Sequence, residues 1–364
     1  MSNRDMAAQQ TGSDRRANGD REPSDAIGAR KPAIWFPTIR TNTGTDQFTR
    51  TLCEGLKANG LRAEIAWIDP RAEYLPWTVR KPPVPQWANI LHINTWLHRR
   101  FYEGSLPVVA TSHHCVHAKT PGIHKGIARS IYHRAWIAHV ERLALERANT
   151  AVAVSQFTAD QTRARFGTNN LTVIHNGVDT TIFRPPTSDA RRDGPVRILY
   201  VGSWSTRKGS DLLAPIMQHL GAGFQLRHTG TREQARRWGL DTETVALGRL
   251  SESELVGELQ QADVFLFPSR LEGFGLAVAE AMACGTAVVA SDASSLPEII
   301  TDRVDGLLCR AGDPAHFAAT IRRLTDNPTV SETIAAHAPG KVNRLFAIDR
   351  FIDAHIALYS ELLA

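Results

Sequence analysis

Cysteine is scarce in this chain of 364 residues. There are four, Cys53, Cys115, Cys284 and Cys309, and no two stand in a C-x-x-C spacing. That scatter argues against a zinc ribbon or a disulfide framework and fits the reduced thiols of a cytoplasmic protein. No stretch approaches the roughly 18 apolar residues that span a bilayer. No repeat of fixed period occurs, and no Asp-x-Asp triplet stands anywhere in the chain. The first thirty residues lack an apolar run after Arg15-Arg16 and carry five basic and five acidic side chains. A disordered tail over 1–30 is expected there rather than a secretion signal.

What the chain has is length and an uneven charge. It is long enough for two domains, and 42% hydrophobic with 22% charged residues is ordinary for a soluble globular protein. Residues 31–183 hold 18 Lys+Arg against 10 Asp+Glu, whereas 184–364 hold 19 against 22. The first half therefore favours an anionic partner, such as a phosphorylated acceptor or a membrane surface. Nucleic acid is not implied, because no nucleic-acid motif accompanies the charge.

Short apolar runs alternate with helical patterns along the whole chain. Strands are expected at 33–36, 63–68, 90–93, 107–111, 151–154, 171–174, 197–201, 224–228, 244–246, 264–267 and 287–290, with a first helix near 46–59. Such alternation predicts parallel sheets covered on both faces, an α/β class with two doubly wound domains facing a cleft. The stretch 184–195, rich in Pro and charge, reads as a linker between domains at 31–183 and 196–344. A last helix over about 345–364 is expected to pack back on the first domain.

Two loops carry anion chemistry. After the strand at 264–267 comes Pro268-Ser269-Arg270-Leu271-Glu272-Gly273-Phe274-Gly275-Leu276, then a helix ended by Gly285. Glycines ahead of a helix let backbone N–H groups approach a ligand, and the helix dipole favours a diphosphate there. Glu272 before the helix and Glu280 one turn inside it bracket that site as acceptors for sugar hydroxyls. After the strand at 197–201 comes Gly202-Ser203-Trp204-Ser205-Thr206-Arg207-Lys208-Gly209, a second phosphate-type loop in which Lys208 is the point charge. Taken singly, each of these residues reads more often as a solvated surface group, and only the constellation argues for a site.

These blocks resemble the family 4 glycosyltransferases, a retaining family of GT-B fold. Ala153-Val154-Ser155, His175-Asn176-Gly177-Val178-Asp179, Gly248-Arg249-Leu250, Pro297-Glu298 and Asp305-Gly306 follow its pattern in order. The resemblance implies transfer of a hexose, with retention, from a nucleotide-diphosphate sugar to a saccharide or lipid-linked acceptor; the cytoplasmic signature together with the basic first half suggests envelope or exopolysaccharide synthesis. It implies Glu280 at the ribose, Glu272 at the hexose, and backbone of Gly273, Phe274, Gly275 and Leu276 at the diphosphate and sugar. Lys208 would hold the diphosphate, Arg249 and Leu250 the base, and His113 (with His114 as alternative) the donor sugar. His113, Glu272 and Lys208 are thus the catalytic candidates.

Two positions depart from the family's pattern. Ser203 stands where an Arg is usual, with Arg207 as the candidate replacement, and Thr43-Gly44 stands where two glycines are common. Without an Asp-x-Asp triplet, no metal and no cofactor beyond the co-substrate are implied. Lys125, Arg129, His133 and Trp136 read as a solvated helix face or as a patch for anionic lipid or a phosphorylated acceptor. A nucleotide-sugar 2-epimerase and a catalytically silent binding subunit are the competing functions.

Overall fold

The computed structural model describes residues 30–102, 104–114, 132–187, 194–240 and 244–364. Twelve strands lie in two wholly parallel six-stranded sheets among these residues. The first comprises β1 (Ala33–Ile39), β2 (Arg62–Ile68), β3 (Ile90–Asn94), β4 (Val108–Ser112), β5 (Thr150–Ala153) and β6 (Leu171–Val173), in the order β2-β1-β3-β4-β5-β6. The second comprises β7 (Val196–Tyr200), β8 (Phe224–His228), β9 (Val245–Ala246), β10 (Val264–Phe267), β11 (Val288–Ser291) and β12 (Leu307–Cys309), ordered β12-β11-β10-β7-β8-β9.

Strands buried on both faces read as unbroken apolar runs, as Val264-Phe265-Leu266-Phe267 does. In each sheet the strand order reverses beside the first strand. In the second sheet the reversal falls between β7 and β10, so the loops after these two strands flank one crevice at the carboxyl ends. Those are the Gly202–Gly209 and Pro268–Gly275 loops.

Three elements differ from the expectation. β1 does not stop at Phe36 but continues through Pro37 to Ile39. Beyond Trp35 it pairs with β2 alone, so one side of the strand needs no N–H from Pro37. The first helix begins at Gly44, not Asp46, because Thr43 caps it and the Asp46 carboxylate gathers Thr41 and the Asn42 N–H into the preceding turn. β12 is only Leu307-Leu308-Cys309, an apolar run too short to announce a strand. It follows Asp305-Gly306 and is held by β11.

The chain crosses between the sheets twice. Val178 bridges to Ala347, and Gly177 is a glycine for space, since a Cβ there would stand 2.8 Å from Ile348 Cα. The last helix, Ile348–Leu363, then lies on the helix Gly44–Ala58. Ile352 fills the space left by Gly55, and the Tyr359 hydroxyl is 2.5 Å from His92 Nδ1 on β3. One apolar cluster runs from Ile34 and Val154 through Phe274 to Phe351, so the halves share a core. Among the described residues no helix is long and apolar enough to cross a membrane.

Candidate functional site

The Gly202–Gly209 loop is shaped by its own caps. Ser205 Oγ accepts the Lys208 N–H, closing one helical turn, and Gly209 then takes a left-handed φ of 73°. A Cβ on Gly209 would stand 2.1 Å from the Pro268 carbonyl, so only glycine lets the two phosphate-type loops touch. Arg270 ties them further. Its guanidinium grips Asp211 bidentately (2.7 Å to each oxygen) and donates to the Thr206 carbonyl at 2.6 Å. Ser269 and Arg270 also bond the Arg207 carbonyl.

The result is a cationic cluster built on Glu272. Lys208 Nζ lies 2.7 Å from Glu272 Oε1, which also accepts from Ser269 Oγ. Arg207 Nη1 lies 4.0 Å from Oε2 and donates to the Leu271 carbonyl. Burial alone would raise the Glu272 carboxyl. Lys208 and then Arg207 outweigh it and hold the pKa below the ordinary value. Glu272, expected as an open sugar acceptor, is thus 6% exposed and already engaged. Arg207 reaches the cluster, whereas Ser203 is exposed and its carbonyl accepts from the Tyr200 hydroxyl.

Gly275, with φ 103°, opens the helix Leu276–Ala283. Ser294 and Ser295 brace the turn before it, bonding the Glu272 N–H and the Phe274 carbonyl. The carboxylate of Glu280, half-buried on that helix, has no hydrogen-bond partner among the described residues. Burial, and next the charge of Glu252, push its pKa up to about 7. Glu252 stands two residues after Leu250, which is half-buried, and three after Arg249, which is exposed.

The proton on Glu280 has a measurable consequence. The folded state holds it more tightly than an unfolded carboxyl of pKa 4.5, so Glu280 costs stability as pH rises from 4.5 to about 7. Glu280→Gln is therefore expected to match the wild type's melting temperature near pH 5 and exceed it above pH 7. Parallel melting curves for the two proteins across that range would refute the assignment.

His113 follows β4, where its carbonyl meets Gly273. A Cβ on Gly273 would stand 1.7 Å from that oxygen. The ring lies edge-on to Phe48, and its Nε2 is 2.7 Å from Asn94 Oδ1. Burial, then His114, lower its pKa to about 3, so the ring is neutral, and the Asn94 oxygen, as an acceptor, favours the tautomer with the proton on Nε2. His113 therefore adds no positive charge to the cluster.

The structure therefore brings Lys208, Arg207, Glu272, Gly273, Phe274, Gly275, Leu276 and His113 together. Gly44 lies exposed at the start of its helix, with open space around it. Lys125, Arg129 and the side chain of His133 lie outside the described residues. Trp136 is turned inward, donating to the Glu73 carbonyl and stacking on His98. Asn94, Ser155, Thr158, Ser269 and Arg270 were given no role by the sequence. Among the described residues no group of three or more His, Cys, Asp or Glu could hold a metal ion.

Residues 43–182 match the model described as Glycosyltransferase Family 4, and residues 195–327 the one described as Glycosyl transferases group 1. A glycogen synthase of Mycobacterium tuberculosis is 29% identical over 269 residues, 69% of this chain but only 63% of that protein, so the chain spans less than two thirds of that relative. A D-inositol 3-phosphate glycosyltransferase of Mycolicibacterium smegmatis is 27% identical over 311 residues, 77% of this chain and 69% of the relative. Sucrose-phosphate synthase from Thermosynechococcus elongatus has the same fold (TM-score 0.75, 19% identity, 92% of this chain and 99% of that one). So does Anabaena Alr3699/HepE in complex with UDP and glucose (TM-score 0.70, 17% identity, 90% and 99%). With its halves matched in order and two parallel sheets meeting at a cleft, the chain belongs to the family 4 glycosyltransferases, of GT-B fold.

Proposed function

We propose that this chain transfers a hexose, with retention, from a nucleotide-diphosphate sugar to a saccharide or lipid-linked acceptor. The observation that carries the reading is Lys208 and Arg207 converging on Glu272 beside the free N–H groups of the helix at Leu276. Cations and helix amides suit a diphosphate leaving group, and the Glu272 carboxylate suits a sugar hydroxyl at the same place. The relative solved with UDP and glucose supports a nucleotide-sugar donor. In this reading Glu280 takes the ribose, Arg249 and Leu250 the base, and His113 Nδ1, the ring's lone-pair nitrogen, a sugar hydroxyl. An epimerase would need acid and base carboxylates in the first half. Of these, Asp46 is committed to Thr41 and Asn42, and Asp69 to Arg71.

No metal takes part in this scheme. The basic excess of residues 31–183 supports a peripheral contact with an anionic membrane, which salt-sensitive sedimentation with phosphatidylglycerol vesicles tests. The donor is tested by melting the protein with UDP-, GDP- and ADP-glucose. One nucleotide should raise the transition by several degrees, since a ligand bound only to the folded state stabilises it. Free nucleoside diphosphate should then appear only with acceptor present, and equally after dialysis against a chelator. Activity that vanishes on chelation and returns with magnesium would overturn the metal-free site.

A further inference from the structure

Glu298, of the Pro297-Glu298 pair, has no task in the scheme above. It stands on the short helix Leu296–Ile299 of the second half, yet both of its carboxylate oxygens are spent on the first half. Oε2 accepts the N–H of Gln156 at 2.7 Å and Oε1 that of Phe157 at 2.6 Å. These are the first two N–H groups of the helix Gln156–Phe166. Such groups have no partner within their own helix, and the dipole there favours a carboxylate. His175 Nε2 lies 3.2 Å from Oε2, and its ring packs against Phe274 and Phe346.

The same helix end answers in the opposite direction. Ser155 caps the helix through the Thr158 N–H, and the hydroxyls of Ser155 and Thr158 both donate to the carbonyl of Gly273. Gly273 is also the residue pressed against the His113 carbonyl. A second-half carboxylate thus holds first-half amides, while first-half hydroxyls hold a second-half carbonyl. Residues more than a hundred positions apart make both sets of bonds.

We infer that Glu298 is a positioning residue, which clamps the helix end at Gln156 and through it sets the Gly273 turn against the first half. The inference rests on the sugar-transfer reading for its effect on turnover. Lys208, Arg207, Glu272 and Glu280 all stand on the second half, so UDP binding does not need the clamp. Transfer does, because it joins groups from both sides of the cleft. Loss of the clamp therefore separates turnover from UDP affinity, whereas a merely structural residue would lower both.

Two variants approach the contact from opposite sides. Glu298→Ala removes the acceptor. Gln156→Pro removes one donor at the first helical position, where proline is tolerated. Ser155 before it is extended (φ −160°, ψ 162°), as a residue preceding proline prefers. In Glu298→Ala, kcat on the nucleotide sugar selected by melting should fall on the order of tenfold or more, while the calorimetric Kd for UDP stays within about twofold. Peptides covering 271–276 should exchange amide hydrogens faster, since that turn loses its brace. Gln156→Pro and Glu298→Gln should fall between this variant and wild type. Unchanged exchange at 271–276 in both Glu298→Ala and Gln156→Pro, or UDP affinity lost in step with kcat, would overturn the clamp. If the wild type turns over no nucleotide sugar, the transfer reading fails alone, and the exchange data still decide the clamp.

Discussion

Replacing Lys208 by alanine is expected to reduce turnover a hundred- to a thousandfold (on the order of one lost transition-state donor), with a smaller change in donor affinity. The diphosphate gains negative charge as the glycosidic bond breaks, so a cation beside it acts more strongly in the transition state than in the ground state. The cluster leaves little in reserve. Of the charges on Lys208 and Arg207, one is offset by Glu272, and the helix at Leu276 adds only about half a charge. Arg207→Ala should therefore also lose activity, about tenfold or more, and Ser203→Arg should restore part of it.

Lys208→Ala should lower the melting temperature as well. Glu272 is buried, and without Lys208 at 2.7 Å its nearest cation is Arg207 at 4.0 Å. Sign matters here. The Glu272 pKa is depressed in the folded protein, so its stabilising contribution is present above pH 4.5 and fades as pH falls through the folded value. A second change, Glu272→Gln, separates the two roles of Lys208. Lys208→Ala/Glu272→Gln should regain thermal stability near neutral pH without regaining turnover. If the single Lys208→Ala variant turns over like wild type, the cluster is structural only.

Local chemistry made much of this site legible in the sequence. Apolar four-residue runs announced β10 and its neighbours, and the glycines after them announced turns. Gly273, Gly275 and Gly209 could be picked out because a turn that receives a ligand or another backbone has no room for Cβ. Lys208 and Arg207 were visible as charges on a strand-following loop. That Glu272 binds them both was not visible, since a carboxylate's partner depends on how loops 60 residues apart fold onto each other.

The same limit hid the contacts of Ser155 and Thr158, which bond a carbonyl, a group every residue carries and no sequence pattern marks. The protonation of Glu280 and neutrality of His113 follow from burial, which periodicity does not report for a single polar side chain on an apolar element. Trp136 continued an apparent surface stripe by spacing, but the Glu73 carbonyl and the ring of His98 draw it inward.

Gly273→Ala should reduce turnover by about a hundredfold or more while leaving UDP affinity close to wild type. The residue has no left-handed φ, so a methyl group strains nothing within its own turn. The obstacle is across the cleft. The new Cβ would sit 1.7 Å from the His113 oxygen, and the two must part by about 1.3 Å to reach the 3.0 Å below which such contacts are not found. A shift of that size draws the Gly273 carbonyl away from Ser155 and Thr158 and misaligns groups that must meet during transfer. Gly275→Ala supplies the contrast. There φ is 103°, and a Cβ would meet Leu296 Cδ2 at 2.9 Å within the second half itself. That variant should lose thermal stability and UDP binding together, because the helix whose N–H groups face the diphosphate is displaced. If both variants behave alike, in either direction, Gly273 does not act across the cleft, and the close approach to His113 has no part in assembling the site.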